Sequence, residues 1–310
     1  MAATRSLVRY AWLSVAAALV TMGMKALAYL VTGSVGLLSD ALESSVNLVA
    51  ALVAVIAIRI AERPADEEHA FGHAKAEYFS AGVEGGMIFV AALVIFWTSI
   101  DRLLNPVELS SLGIGLVVST AAALVNLGVA LVLLRAGRAE RSITLEADGR
   151  HLLTDVWTSG GVLVGVGLVA LTGWEQLDPI VGLLVGVNIL WTGFGLLRRS
   201  ASGLMDTALD EAERRTIGDI LAAHEAPDVQ FHALRTRQAG RRSFVSFHLL
   251  VPGAWTVQRG HDLAEELEDE IRRAVPGSVV FVHVEPLEDP RSFADEDLDR
   301  LRTPPHRGPT

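Results

Sequence analysis

The 310-residue sequence has no cysteine. Disulfides and thiolate metal sites are therefore excluded. A transition metal here can be held only by imidazole, carboxylate or amide oxygen. Those donors suit zinc, manganese, cobalt, nickel or ferrous iron better than cuprous copper. Positive charge is also scarce. The formal net charge is −10, and residues 201–310 carry 13 Lys+Arg against 20 Asp+Glu. An acidic segment repels nucleic acid and attracts cations, so no nucleic-acid partner is expected. There is no G-x-x-x-x-G-K-[ST] run to cradle a nucleotide phosphate. There is also no H-E-x-x-H: His224-Glu225 is followed by Ala226-Pro227-Asp228. Intramembrane metalloprotease chemistry lacks its motif, and an enzyme is not expected.

Apolar residues are abundant and segregated. They make up 51% of the chain, and mean hydropathy is +0.39. Long apolar runs fill residues 7–200, whereas residues 201–310 are mostly polar. This predicts a membrane domain followed by a water-exposed one. A bilayer core needs about 20 apolar residues per helix. Six segments meet that length: 8–31, 35–60, 78–101, 112–135, 150–171 and 179–198. The first is too long for a signal peptide and is read as a span. Gly161/Gly165 and Gly182/Gly186 predict close packing between the fifth and sixth spans.

Basic residues set the orientation. Arg5 and Arg9 precede span one. Arg59, Arg63 and Lys75 flank the loop after span two. Arg135, Arg138, Arg141 and Arg150 flank the loop after span four. Arg198 and Arg199 follow span six. The other side has only Arg102. Both termini are expected in the cytoplasm of a multi-pass protein in the cell (inner or plasma) membrane, with lipid as its surroundings.

Ionised side chains inside a bilayer cost about 2.5–3.5 kcal/mol each on insertion scales. Span two nonetheless carries Asp40, Glu43 and Asn47, and span five carries His151 and Asp155. Glu43/Asn47 and His151/Asp155 are each i,i+4 pairs on one helix face. Two such pairs can converge on one cation, with one nitrogen and three oxygens as donors. Asp40, Glu84 and Lys25 have no assigned role. After the spans, residues 208–225 read as a helix, 228–238 and 242–251 as strands, 256–275 as a helix and 279–285 as a strand. That is a small α+β domain. Residues 291–310, with Pro304, Pro305, Gly308 and Pro309, read as a disordered tail. The expected divisions are 1–203, 204–290 and 291–310.

The paired polar residues in the membrane, the stretch Pro64–Glu77 with its Phe71-Gly72-His73, and the run Leu234-Arg235-Thr236-Arg237-Gln238 resemble the cation diffusion facilitator family. The resemblance covers about residues 8–289 and is nearest to the family's bacterial zinc/proton antiporters. It implies a homodimer of six-helix protomers, each with a metallochaperone-like, ferredoxin-like cytoplasmic domain, working by alternating access. By position it implies a transport site of Glu43, Asn47, His151 and Asp155. It implies a loop site of Asp66, His69 and His73, residue types that suit zinc. It also implies a binuclear zinc cluster at the dimer interface built from His232, His248, His261, His283 and Glu285. On a strand His283 and Glu285 share a face. Three positions depart from the family pattern. Zinc-specific relatives usually place Asp or His where Glu43 and Asn47 stand, and commonly Asp where Glu285 stands. Cargo is therefore left open among zinc, manganese, iron, cobalt, nickel and cadmium.

The implied activity is efflux of a divalent metal in exchange for protons. Moving a dication out against about 100 mV costs roughly 4.6 kcal/mol, and no nucleotide site is present to drive it. Metal and proton compete for an imidazole that titrates near pH 6.5 when unperturbed. The other expectation is a membrane metal sensor that moves no ions.

Overall fold

The computed structural model describes residues 7–32, 35–105, 113–174 and 176–293. The chain divides into two compact units, Met1–Leu204 and Met205–Thr310. The first holds six long helices: α1 (Val8–Thr32), α2 (Val35–Ala61), α3 (Ala76–Leu104), α4 (Gly113–Ala139), α5 (Ile143–Thr172) and α6 (Leu177–Leu204). The second holds α7 (Glu211–Ala223), β1 (Gln230–Ala239), β2 (Arg242–Val251), α8 (Val257–Ala274) and β3 (Ser278–Pro286). A single 3-10 turn follows at Pro290–Phe293. The tail expected from 291 onward lies outside the described residues from 294.

Among the described residues, four helical segments are long and apolar enough to cross a membrane: Val8–Leu30, Ala76–Leu104, Val117–Ala139 and Pro179–Leu204. They belong to α1, α3, α4 and α6. The two remaining helices, α2 and α5, carry the predicted polar pairs.

Helix α5 starts seven residues earlier than expected, at Ile143 rather than 150. Glu146, Asp148 and Arg150 make the segment look like a loop, yet all three are helical. Other helices supply the partners that make this tolerable. Arg199 on α6 donates to Glu146 at 2.8 Å, and Ser14 on α1 donates to Asp148 at 2.9 Å. The helix start is fixed twice. Ser142 is extended at the N-cap, and its hydroxyl accepts from Leu145 N–H. Glu77 on α3 accepts from the Ser142 hydroxyl and from Thr144 N–H, placing a carboxylate at the positive end of the helix. Arg150 therefore lies inside a helix, and Arg135 and Arg138 lie within α4. The connection between the two helices is only Glu140–Ser142.

Glycines set the closest helix approaches. A methyl at Gly161 of α5 would stand 2.9 Å from Val185 of α6. Gly182 and Gly186 do not face α5 as predicted. A methyl there would meet Ser99 at 2.6 Å and Ile95 at 3.3 Å, both on α3. Gly85 and Gly193 extend the same α3–α6 seam, where a side chain would run into the Leu197 and Phe89 backbones. Spacing located the small residues and the partner helix of Gly161, but not the helix that Gly182 and Gly186 turn toward.

In the second unit β2 is the central strand, antiparallel to β1 and parallel to β3. The parallel pair is joined through α8, as such a connection requires. Thr256 caps α8 by accepting from Arg259 N–H at 3.2 Å. Gly260, Ala264, Leu267 and Ile271 form its buried stripe. That stripe shares one core with Ile217 and Leu221 of α7 and with Val245, Phe247 and Leu249 of β2. Alternation along β2 sends His248 to the opposite face.

Candidate metal centres

The buried centre joins three helices. Asn47 reaches from α2 to both predicted residues of α5. Its Oδ1 lies 2.8 Å from His151 Nε2, and its Nδ2 donates to Asp155 Oδ2. An amide oxygen only accepts, so His151 Nε2 carries the proton in this contact. Asn126 on α4 donates to the same Asp155 oxygen at 3.2 Å. Asn47, His151 and Asn126 are buried. Two amide N–H groups thus cover the carboxylate. Asp155 is half-buried, and such donors offset the water its carboxylate has lost. The side chains of Asp40 and Glu43 lie outside the described residues.

The loop between α2 and α3 forms a second centre. Asp66 Oδ1 lies 3.3 Å from His69 Nδ1, and Asp66 Oδ2 lies 3.3 Å from His73 Nε2. The i,i+4 spacing of the two histidines does not sit on a helix. A turn brings them together instead: Gly72, at φ 84°, donates its N–H to His69 O at 2.8 Å. The left-handed backbone there suits glycine. His73 Nδ1 is tied to Pro64 O at 3.1 Å, leaving Nε2 to face Asp66. The backbone N–H of His69 donates to Asp66 at 2.7 Å and holds its carboxyl below the usual carboxylate range.

The third centre is built by strand register. His232 is paired with His248 across β1 and β2, and His248 with His283 across β2 and β3. Three imidazoles therefore form a row across the sheet. A bulge between His232 and Arg235, with Ala233 at φ 53°, re-aims β1 at this point. Glu285 Oε2 lies 3.0 Å from His232 Nε2 and 3.1 Å from His248 Nδ1, and those nitrogens are 3.1 Å apart. His283 Nδ1 is 3.7 Å from Glu285 Oε1 and its side chain is 67% exposed. His261 is exposed on α8 and stands outside this group. His232, His248 and Glu285 place donor atoms within 4.8 Å of one another, as do Asp66, His69 and His73. Imidazole nitrogen with carboxylate oxygen at that separation fits a borderline dication such as zinc.

Residues 11–205 match the family model of the cation efflux transmembrane domain, and residues 209–287 match that of the cation efflux protein cytoplasmic domain. The chain belongs to the cation diffusion facilitator family. An uncharacterized transporter of Synechocystis sp. is 55% identical over 288 residues, 93% of each chain. The cation-efflux pump FieF of Salmonella arizonae is 34% identical over 279 residues, 90% of this chain and 92% of that one. The metal-bound C-terminal domain of the CzcD transporter from Thermotoga maritima is 27% identical, with a TM-score of 0.23. It covers 26% of this chain and 98% of its own. The facilitator is thus a membrane cation efflux transporter, in a family of transporters rather than enzymes.

Two polar positions of this facilitator escaped the sequence reading. Asn126 is a lone amide inside a strongly apolar span, and only its meeting with Asp155 marks it. Asp148 was hidden by the misplaced start of α5. It is 1% exposed, and its Oδ2 has no hydrogen-bond partner among the described residues. Glu84 on α3 is likewise buried, with one oxygen held by Ser80 at 3.3 Å and the other without a partner there.

Proposed function

We propose that this facilitator moves a divalent transition metal out of the cytoplasm in exchange for protons. Glu43, Asn47, His151 and Asp155 form the transport site in this reading. The observation that carries it is the meeting of Asn47, His151 and Asp155 deep between α2 and α5. Those side chains satisfy one another when the site is empty. A cation entering there takes over Asp155 Oδ2 from the two amides and displaces the proton from His151 Nε2. In this reading the empty site holds His151 as imidazolium, so the Nε2 proton leaves as metal binds and the ring keeps its Nδ1 proton; a neutral ring would only shift its proton to Nδ1 and release none. On the outer face the exchange runs backward, and inward proton movement offsets the roughly 4.6 kcal/mol needed to move a dication against about 100 mV. Zinc, manganese, iron, cobalt, nickel and cadmium remain the candidate cargoes.

We further propose that the second unit is a cytoplasmic metal-binding dimerisation domain, and that both termini are cytoplasmic. Bound metal at His232, His248 and Glu285, with His283 beside them, would neutralise the carboxylate and lock the three strands in register. His261 belongs to this site only through a second copy of the chain, because one copy leaves it outside the group. The loop centre at Asp66, His69 and His73 is a separate metal site at the membrane surface.

Flux of each metal into proteoliposomes, with and without an imposed pH gradient, tests the exchange. Uptake should rise with the gradient and vanish in Asp155→Ala. Flux indifferent to the gradient would remove the proton coupling. Metal binding with no flux at all would favour the sensor.

A further inference from the structure

Asn126 comes to the transport site from α4, a helix that neither predicted pair involves. Its Nδ2 donates to Asp155 Oδ2 at 3.2 Å, the oxygen that also takes the Asn47 amide. The orientation of the Asn126 amide follows from this contact, because an ionised carboxylate only accepts. The side chain is 4% exposed. Its carbonyl oxygen is buried with no hydrogen-bond partner among the described residues. A buried carbonyl without a donor is unfavourable and calls for a reason. An apolar residue would fill the same space in an apolar span without that penalty.

The empty and loaded states make different demands on this amide. With the site empty, Asp155 needs N–H donors. With a dication on Asp155 Oδ2, that oxygen has one lone pair left for the two amide N–H groups it now accepts, so one of them must let go. The terminal torsion of asparagine is broad and roughly two-fold, so the amide can exchange N for O with little strain. We infer that Asn126 is a fifth polar member of the transport site, which donates to Asp155 when the site is empty and offers its carbonyl oxygen to the cargo when it is full. This inference rests on the reading of Asn47, His151 and Asp155 as the transport site.

The consequence is selectivity. Zinc is satisfied by four donors and favours nitrogen or sulfur. Manganese prefers more donors and harder, oxygen-rich sets. With Asn126, the proposed site offers one imidazole and four oxygens. The added oxygen brings no charge, so it raises coordination number without binding the ion too tightly to release. Asn126 thereby biases the transporter toward manganese over zinc.

The test compares manganese and zinc flux in proteoliposomes holding the full chain, native or carrying Asn126→Ala, Asn126→Asp or Asp155→Ala. Each variant is first checked for native elution and helicity. Asn126→Ala should lower the manganese-to-zinc flux ratio about tenfold, the low end of what outer contacts of metal sites contribute. Asn126→Asp keeps an oxygen but loses the N–H donor, and it should retain the manganese preference. Should Asn126→Ala misfold, the Asn126→Asp ratio alone decides. A fall in that ratio would mean that the N–H, not the oxygen, matters, and would overturn the inference. So would an Asn126→Ala ratio equal to native, including the case in which both fluxes drop equally. In either event, loss of all flux in Asp155→Ala leaves the transport site standing. Undiminished flux in Asp155→Ala removes the transport site and the inference together.

Discussion

The two folded units each gather imidazole and carboxylate, but by opposite means. In the first unit the donors come from α2, α4 and α5, and no two helices supply them all. In the second, adjacent strands place His232, His248 and His283 in one row by register. In the helical centre Asn47, His151 and Asn126 are buried and Asp155 is half-buried, and two amides cover its carboxylate. In the sheet centre Glu285 is half-buried too, but two imidazole nitrogens rather than amides stand against it, and His283 is open to water. A site whose empty state is self-satisfied can release its ion. A site whose donors crowd together without covering amides is better suited to keeping one. The contrast is consistent with the transport role proposed for the first and the bound metal proposed for the second.

The largest effect should come from Asp155→Ala. It removes the anionic anchor of the buried centre and should cut flux by at least about 100-fold, the upper range for loss of a metal-site contact. Metal binding by the second unit, followed by calorimetry on the same protein, should be unchanged. Loss at both places would show that the two centres depend on one another.

Next, Glu285→Ala should weaken metal binding at the sheet centre by about 10–100-fold, because one oxygen serves both His232 and His248. Basal flux should persist. A chelator titration that reads native affinity for this variant would remove Glu285 from the site.

Packing variants sharpen the comparison further. Phe247→Ala empties the core beneath the sheet and should destabilise the second unit by about 3–5 kcal/mol. Gly193→Ala forces a methyl within 3.0 Å of the Phe89 backbone on the α3–α6 seam. It should cost about 1–3 kcal/mol by overpacking, and thermal unfolding in detergent reads both. An unchanged melting temperature for Gly193→Ala would show that the seam can open freely.

The smallest effect concerns pH at the loop centre. The His69 N–H lowers the Asp66 carboxyl below its ordinary value. A depressed carboxyl stabilises the folded loop above the unfolded value, and that contribution fades as pH falls through the lowered one. The Asp66 carboxyl should therefore titrate at lower pH than an ordinary aspartate. Carboxyl-carbon NMR checks this directly, and an unshifted titration would contradict the hydrogen bond.

The parts legible in advance were those with strong local signals. Apolar runs located the six long helices, and the strand reading of 228–238, 242–251 and 279–285 located β1, β2 and β3. The start of α5 was misread because charge looked like loop. Asp148 and Glu146 each find one partner, in Ser14 and Arg199, which lie more than 50 positions away and leave no local mark. The loop histidines were legible as residues but not as geometry, since a glycine turn rather than a helix brings them together.

Residue type and spacing alone determined that this chain is a membrane protein with no thiolate chemistry and with paired polar residues on α2 and α5. Those properties depend on composition and helical period, which are local. Tertiary structure alone decided that Asn126 joins Asp155, that Gly182 and Gly186 turn toward α3, and that His261 stands apart from the other histidines. Each depends on which helix or strand packs beside which, and that is set by the sum of many contacts across the fold rather than by any neighbouring residue.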